Sequence, residues 1–90
     1  MKSQKVTIRN ATGLLVNSAG LLCDEAMKYK SKVTFRYGEE NEANAKSILS
    51  VLGACIKNGD EIELCCSGED EEEALRGMVW VVTEKLLEES

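Results

Sequence analysis

The sequence predicts an α+β fold, an open-faced β-sandwich: a four-stranded antiparallel sheet covered on one face by three helices in the order βαββαβα. Three observations predict it. The stretches "KVTIRN", "KVTFRY" and "DEIELCCSG" alternate apolar and polar residues, the mark of half-buried strands. Apolar residues recur at helical spacing after Ser18, after Lys46 and after Asp70. At 90 residues, 43% hydrophobic and 30% charged, the chain suits one globular domain over residues 1–90, with no room for a second core and no solenoid repeat.

Val6 and Ile8 share the inner side of the first strand, and "ATG" turns the chain. The first helix carries Leu21, Leu22, Cys23, Ala26 and Met27 on one face, with Asp24, Glu25 and Lys28 opposite; Ser18 or Asn17 is its expected cap. The second strand faces inward with Val33, Phe35 and Tyr37, and a short edge strand follows near "ENEAN". Ile48, Leu49, Val51, Leu52 and Cys55 give a short second helix, expected to end at Asn58–Gly59. In the last strand, alternation buries Ile62, Leu64 and Cys66 and leaves Glu61, Glu63 and Cys65 on an exposed, acidic face. The third helix opens on acidic residues, which its dipole favours, and presents Leu75, Met78, Val79, Trp80, Val82 and Leu86. Gly77 weakens that helix unless close packing requires it.

A formal net charge of −5 argues against general nucleic-acid binding, which needs a basic footprint. The acidic stretches "GEDEEEALRG" and "EKLLEES" read as solvated helix faces rather than an interaction tail. "MKSQKVTIRN" lacks the apolar stretch of a signal peptide, and no run of about 18 apolar residues spans a membrane. The expectation is a cytoplasmic protein. The sequence contains no histidine, which removes the imidazole base, the phosphohistidine and the His metal ligand together. Cys23, Cys55, Cys65 and Cys66 lack the close spacing of a zinc site and read as small core residues; no metal or cofactor is expected.

Three segments carry a resemblance to a known family. "TG" at 12 and 13 opens the first helix, followed by "AGLLCDEAMKY"; "NAKSILSVLGACIKNGDEIEL" leads through the second helix into a strand; and "SGEDEEEAL" turns into the last helix. Together they make the chain similar, over essentially its whole length, to HPr, the phosphocarrier protein of the bacterial sugar phosphotransferase system. The family's phosphate-carrying motif reads T-G-x-H-A-R-P-A, where this chain has Thr12-Gly13-Leu14-Leu15-Val16-Asn17-Ser18-Ala19. The resemblance puts Leu15 at the histidine position, Asn17 at the arginine position and Ser18 at the proline position. Leucine has no lone pair to accept a phosphoryl group, and asparagine cannot supply a charged bidentate contact to a phosphate. Ser18 has no activating base beside it.

The resemblance also implies a second role. Relatives in Gram-positive bacteria are phosphorylated by an ATP-dependent HPr kinase/phosphorylase on a serine at the start of the second helix, and then bind a transcriptional regulator. Ser47 matches that serine. Read from the residues alone, a serine before an apolar helical run is an ordinary N-cap, and the two roles are compatible. Lys46 is expected to help screen a phosphate there. Ile48, Leu49 and Leu52 either belong to the core or form the apolar patch that relatives present to partners. Leu15, Val16, Asn17 and Gly20 would extend that patch, or Leu15 and Val16 simply fill the loop. "GEENEA" is one residue longer than the family pattern and acidic, which bears on how a kinase approaches.

The expectation is therefore an HPr-family binding module, not an enzyme, regulated in the manner of catabolite repression by a phosphate on Ser47. The alternative is a noncatalytic component or decoy of sugar transport that binds enzyme I without accepting phosphate. A thiol-based redox or metal protein is a third reading, ranked last. No nucleic acid or membrane partner is expected.

Overall fold

The computed structural model describes residues 1–88; Glu89 and Ser90, which end the expected acidic C-terminal face, lie outside the described residues. The elements run β1 (Lys2–Thr7), α1 (Val16–Met27), β2 (Lys32–Tyr37), β3 (Asn41–Asn44), α2 (Ile48–Gly53), β4 (Glu61–Ser67) and α3 (Glu71–Trp80). A π-helical stretch, Val81–Lys85, then runs directly into a last turn, α4 (Leu86–Glu88), so that three helical bodies cover the sheet. The strands form one antiparallel sheet in the order β1-β4-β2-β3. This is the architecture that the alternating strands predict.

Register explains the core. Val6 lies opposite Ile62, Val33 opposite Cys66, and Phe35 opposite Leu64 on one side and Ala43 on the other. These residues face the helices and are buried together with Leu22, Ala26, Ala74, Met78, Val82 and Leu86. Burial of a large aliphatic side chain is worth about 1.5–3 kcal/mol, so this shared face carries most of the driving force. Leu75 and Val79 pack at its margin, whereas Trp80 is exposed.

The other face of the sheet differs from the acidic surface expected. Lys5 lies opposite Glu63, Glu63 opposite Arg36, and Arg36 opposite Glu42, giving a row of alternating charge across all four strands. Arg36 reaches Glu63 at 3.4 Å and Glu42 at 3.9 Å. In the neighbouring row Cys65 sits between Ser3 and Thr34 and is only 4% exposed. The prediction that Cys65 is exposed is therefore corrected: β4 is an interior strand, and its neighbours' side chains close over the thiol. Burial pushes the Cys66 thiol up to about 11 and raises those of Cys23 and Cys65, keeping all three protonated at neutral pH.

Helix α1 departs from the simple amphipathic reading. Glu25 is buried and Met27 is 62% exposed, the reverse of their expected places. Glu25 tolerates burial because its carboxylate accepts hydrogen bonds from the Tyr29 hydroxyl at 2.8 Å and from Lys28 Nζ at 2.9 Å. Gly77 of α3 crosses at this point. A Cβ there would fall on the Tyr29 hydroxyl and 2.6 Å from Glu25 Oε2, so the close packing expected at Gly77 is present, and a larger residue would have to displace the Tyr29–Glu25 pair.

Helix α2 ends at Gly53, earlier than Asn58–Gly59. Ala54 caps it and Cys55 adopts the left-handed conformation at φ 53°, the reversal that glycine usually supplies. The Asn58–Gly59 turn instead hands the chain to β4, where the Gly59 amide donates to the Ile8 carbonyl at 2.6 Å.

The connection from α1 to β2 is tied to the start of α3. Asp70 accepts hydrogen bonds from the Lys30 amide at 2.9 Å, the Ser31 amide at 2.9 Å and the Ser31 hydroxyl. The Ser31 hydroxyl first, then the Lys30 amide, holds the Asp70 carboxyl down to about 2, below its ordinary 3.8. A depressed folded value means that this carboxylate stabilises the fold fully above about pH 4, and that the contribution is lost as pH falls from there through 2. Chemical denaturation at a series of pH values should show stability declining across that window. The Asp70→Asn protein should be less stable at neutral pH and should show a shallower decline.

Candidate functional site

Two helix starts carry the residues that the sequence singles out. The first is the loop from Asn10 into α1. Leu14 is buried, and its amide donates to the Ile56 carbonyl at 3.0 Å, just beyond α2. Gly13 permits that approach at φ 67°: a Cβ on it would lie 2.5 Å from the Ile56 carbonyl oxygen and 2.8 Å from Lys57 Cα. Asn10, 2% exposed, braces the loop from beneath. Its amide nitrogen donates to the Gly13 carbonyl at 2.7 Å and to Ser18 Oγ at 3.1 Å, and its own oxygen has no protein partner.

Helix α1 begins at Val16 with Leu15 in the capping position, so neither Ser18 nor Asn17 caps it. Ser18 is buried in the first turn, its hydroxyl turned to Asn10. Leucine has no acceptor to offer, and no acidic residue lies in the first turn. Leu15 and Val16 point outward, 58% and 70% exposed, and line a shallow groove with Thr12, Asn17 and Ser18. They do not fill the loop; Leu14 does. Gly20 is half-buried with open space where a Cβ would stand, so nothing in the packing requires glycine there.

The second start is capped as expected. Ser47 occupies the N-cap of α2, and its hydroxyl accepts from the Ser50 amide at 3.3 Å. Ser50 Oγ in turn accepts from the Asn44 amide at 2.9 Å, and the Asn44 side-chain oxygen accepts from the Lys46 amide at 2.9 Å. The helix has no acidic residue in its first turn. Ile48 is 44% exposed and Leu49 84%, while Leu52 is half-buried against the core and Val51 fully buried. Of the three apolar residues left open between core and surface, two face solvent and one is shared.

Lys46 lies immediately before the Ser47 cap. Its ammonium donates to the Tyr29 backbone carbonyl at 2.7 Å, just past the end of α1. Helices α1 and α2 pack against each other, and this bond joins the exit of one to the entry of the other. Asn10, Tyr29 and Ser50 were absent from the expected site. Asn10 had a local signal, a turn-forming residue just before "TG"; the Tyr29 carbonyl, a backbone atom, had none.

Among the described residues, no group of three or more Cys, Asp or Glu is placed to hold a metal ion, and all four cysteines are free. No described helix is long and apolar enough to cross a membrane. The site contains hydrogen-bond donors, hydroxyls and exposed aliphatic side chains, which is the chemistry of recognition.

The loop's dependence on Gly13 is open to measurement. Gly13→Ala imposes both a strained φ and a backbone collision, and should cost roughly 2–4 kcal/mol in urea denaturation. A loss under about 1 kcal/mol would show that the loop is free to shift away from Ile56.

Comparison with known proteins gives a consistent result. The family model described as the PTS HPr component phosphorylation site matches residues 2–84. The HPr-like protein Crh of Bacillus subtilis is 37% identical over 86 residues, covering 96% of this chain and all of Crh. Phosphocarrier protein HPr of Lysinibacillus sphaericus is 36% identical over 84 residues, covering 93% of this chain and 94% of that protein. Among solved structures, HPr from Thermoanaerobacter tengcongensis superposes with a TM-score of 0.91 at 31% identity, covering 100% of this chain and 99% of that one. The strand order, the loop into α1 and the serine-capped α2 are thus those of a chain that belongs to the HPr family of phosphocarrier proteins.

Proposed function

We propose that this chain is a regulatory member of the HPr family that carries no phosphate on histidine and acts as a binding module switched by phosphorylation of Ser47. The observation that carries the reading is the pairing of a histidine-free sequence with a half-exposed Ser47 at the N-cap of α2, beside the exposed side chains of Ile48 and Leu49. Crh of Bacillus subtilis, among the relatives, is described as a catabolite-repression HPr, which supports the same direction. The partners proposed are an HPr kinase/phosphorylase and, for the phosphorylated form, a transcriptional regulator, in the cytoplasm. The chain itself is not an enzyme in this reading.

The physical case starts at the cap. In phosphorylation the Ser47 hydroxyl oxygen bonds to the γ-phosphorus of ATP, ADP leaves with the electrons of the broken P–O bond, and the hydroxyl proton passes to a base on the kinase. The product places about −1.5 to −2 charges at the positive end of α2, where the helix dipole favours them and no native carboxylate competes. A regulator would then read charge from the phosphate and apolar area from Ile48 and Leu49.

A second reading rests on Leu15 and Val16. Their exposure at the entry of α1 suits a noncatalytic competitor that binds enzyme I of the phosphotransferase system without accepting a phosphoryl group. Binding to enzyme I that is abolished by Leu15→Glu and unaffected by the state of Ser47 would favour it.

Intact-mass measurement after incubation with ATP and an HPr kinase tests the first reading. One added phosphate is expected, lost in both Ser47→Ala and Ser47→Asn. The asparagine variant matters because it keeps a helix cap, whereas alanine forfeits about 1 kcal/mol of capping and confounds a folding defect with a missing acceptor. No mass increase in the native protein would overturn the regulatory reading and leave Ser47 as a cap alone.

A further inference from the structure

We propose that Lys46 is the element through which a phosphate on Ser47 reaches the rest of the fold: its ammonium leaves the Tyr29 carbonyl for the phosphate and releases the exit of α1. The inference rests on the phosphorylation of Ser47 proposed above and concerns what that phosphate does within the chain.

Lys46 is half-buried, and its bond to the Tyr29 carbonyl joins the segment before α2 to the segment after α1. That bond is charge-assisted on the donor side only. A phosphate offers a formal anion and several acceptor oxygens one residue away, so the competing pair is charge-assisted on both sides. The flexible four-carbon stem of lysine allows the exchange without moving the backbone. The neighbouring lysines are already engaged: Lys28 pairs with Glu25 at 2.9 Å, and Lys30 with Glu69 at 3.3 Å. Lys46 instead donates to a neutral carbonyl, and it is the cation adjacent to Ser47 in the chain.

Within the cap, the consequences of the phosphate are small. The Ser50 amide that now donates to Ser47 Oγ can donate to a phosphate oxygen instead, so the entry of α2 stays satisfied. The loss falls at Tyr29. Its carbonyl lies past the last turn of α1, where a cation is favoured by the helix dipole, and after the exchange it has only water. Tyr29 also holds the buried Glu25 through its hydroxyl, and the next two amides, of Lys30 and Ser31, are those that bind Asp70. The phosphate thus acts on a connection that joins α1, β2 and the start of α3, and the coupling runs through one named bond.

The test uses the full chain with phosphoserine installed at position 47 during translation, so that it does not depend on any kinase. The 13C resonance of the Tyr29 carbonyl is compared between the phosphorylated and unmodified proteins, and again in the Lys46→Met background. The expected result is an upfield shift on phosphorylation, to the position that unmodified Lys46→Met already occupies, with no further movement in phosphorylated Lys46→Met. An unmoved Tyr29 carbonyl in the phosphorylated native protein, with shifts confined to Ser47, Ser50 and Val51, would overturn the inference. If Lys46→Met does not fold, the comparison within the native sequence still decides it. Failure of the kinase to add phosphate counts against the proposed function; an unmoved carbonyl in the phosphoserine protein counts against this inference alone.

Discussion

The pairing of β4 with β1 on one side and β2 on the other is the constraint on which the rest of the structure depends. It brings residues 2–7 against 61–66, the first strand against the last, and makes that last strand an interior one. Such non-local pairing is entropically costly to form and is repaid only when the inner face is covered, which is why Val6, Val33, Phe35, Ile62 and Leu64 are buried together. The same ladder sets the functional loop. At its end the Ile8 amide donates to the Asp60 carbonyl and the Gly59 amide to the Ile8 carbonyl. The chain therefore leaves β1 beside the segment that follows α2, and Leu14 can bond to Ile56 across the gap that Gly13 leaves open. A loop close in sequence to one strand is held by residues more than forty positions away.

What was legible in the sequence follows from what a local pattern can record. Alternation in "KVTFRY" placed Val33 and Phe35 inward because a one-residue slip would turn both to solvent. Ser47 was readable as a cap because the interaction is local, three residues from donor to acceptor. Glu25 was misread because its burial depends on Tyr29 one turn on and on Gly77 in another helix, neither of which its own face of α1 records. Cys65 was misread because alternation says which face a residue occupies and not how far its cross-strand neighbours cover it. The π-helical stretch at Val81–Lys85 lies in a run whose apolar spacing reads as unbroken α-helix, and no glycine or proline within it marks the change.

The candidate site shows the same division. Its two helix starts were visible, since "TG" before apolar residues and serine before "ILSVL" are local signals. Their difference was not. The entry of α1 has a leucine where a cap should be, and its stability comes instead from the buried Leu14 and from Asn10 bonding upward to Gly13 and Ser18. The entry of α2 has a true side-chain cap closed by Ser50 and Asn44. One start is held by packing from below and leaves its outer residues free of structural duty; the other uses its outer hydroxyl to hold itself.

That contrast limits what each surface can do. At α1 the outward residues Leu15 and Val16 can be replaced in evolution without unravelling the loop, because Leu14, Gly13 and Asn10 do the holding. Chemistry can therefore be removed from that face while the scaffold persists, which is how a phosphocarrier fold can exist in a chain without histidine. At α2 the hydroxyl is part of the scaffold, and a charge added to it acts on bonds already formed. Of the two starts, the Ser18 hydroxyl at α1 is buried against Asn10, whereas the Ser47 hydroxyl at α2 is partly exposed. Ser47 Oγ is at once a structural acceptor and a partly exposed hydroxyl, and the proposed switch draws its case from that coincidence.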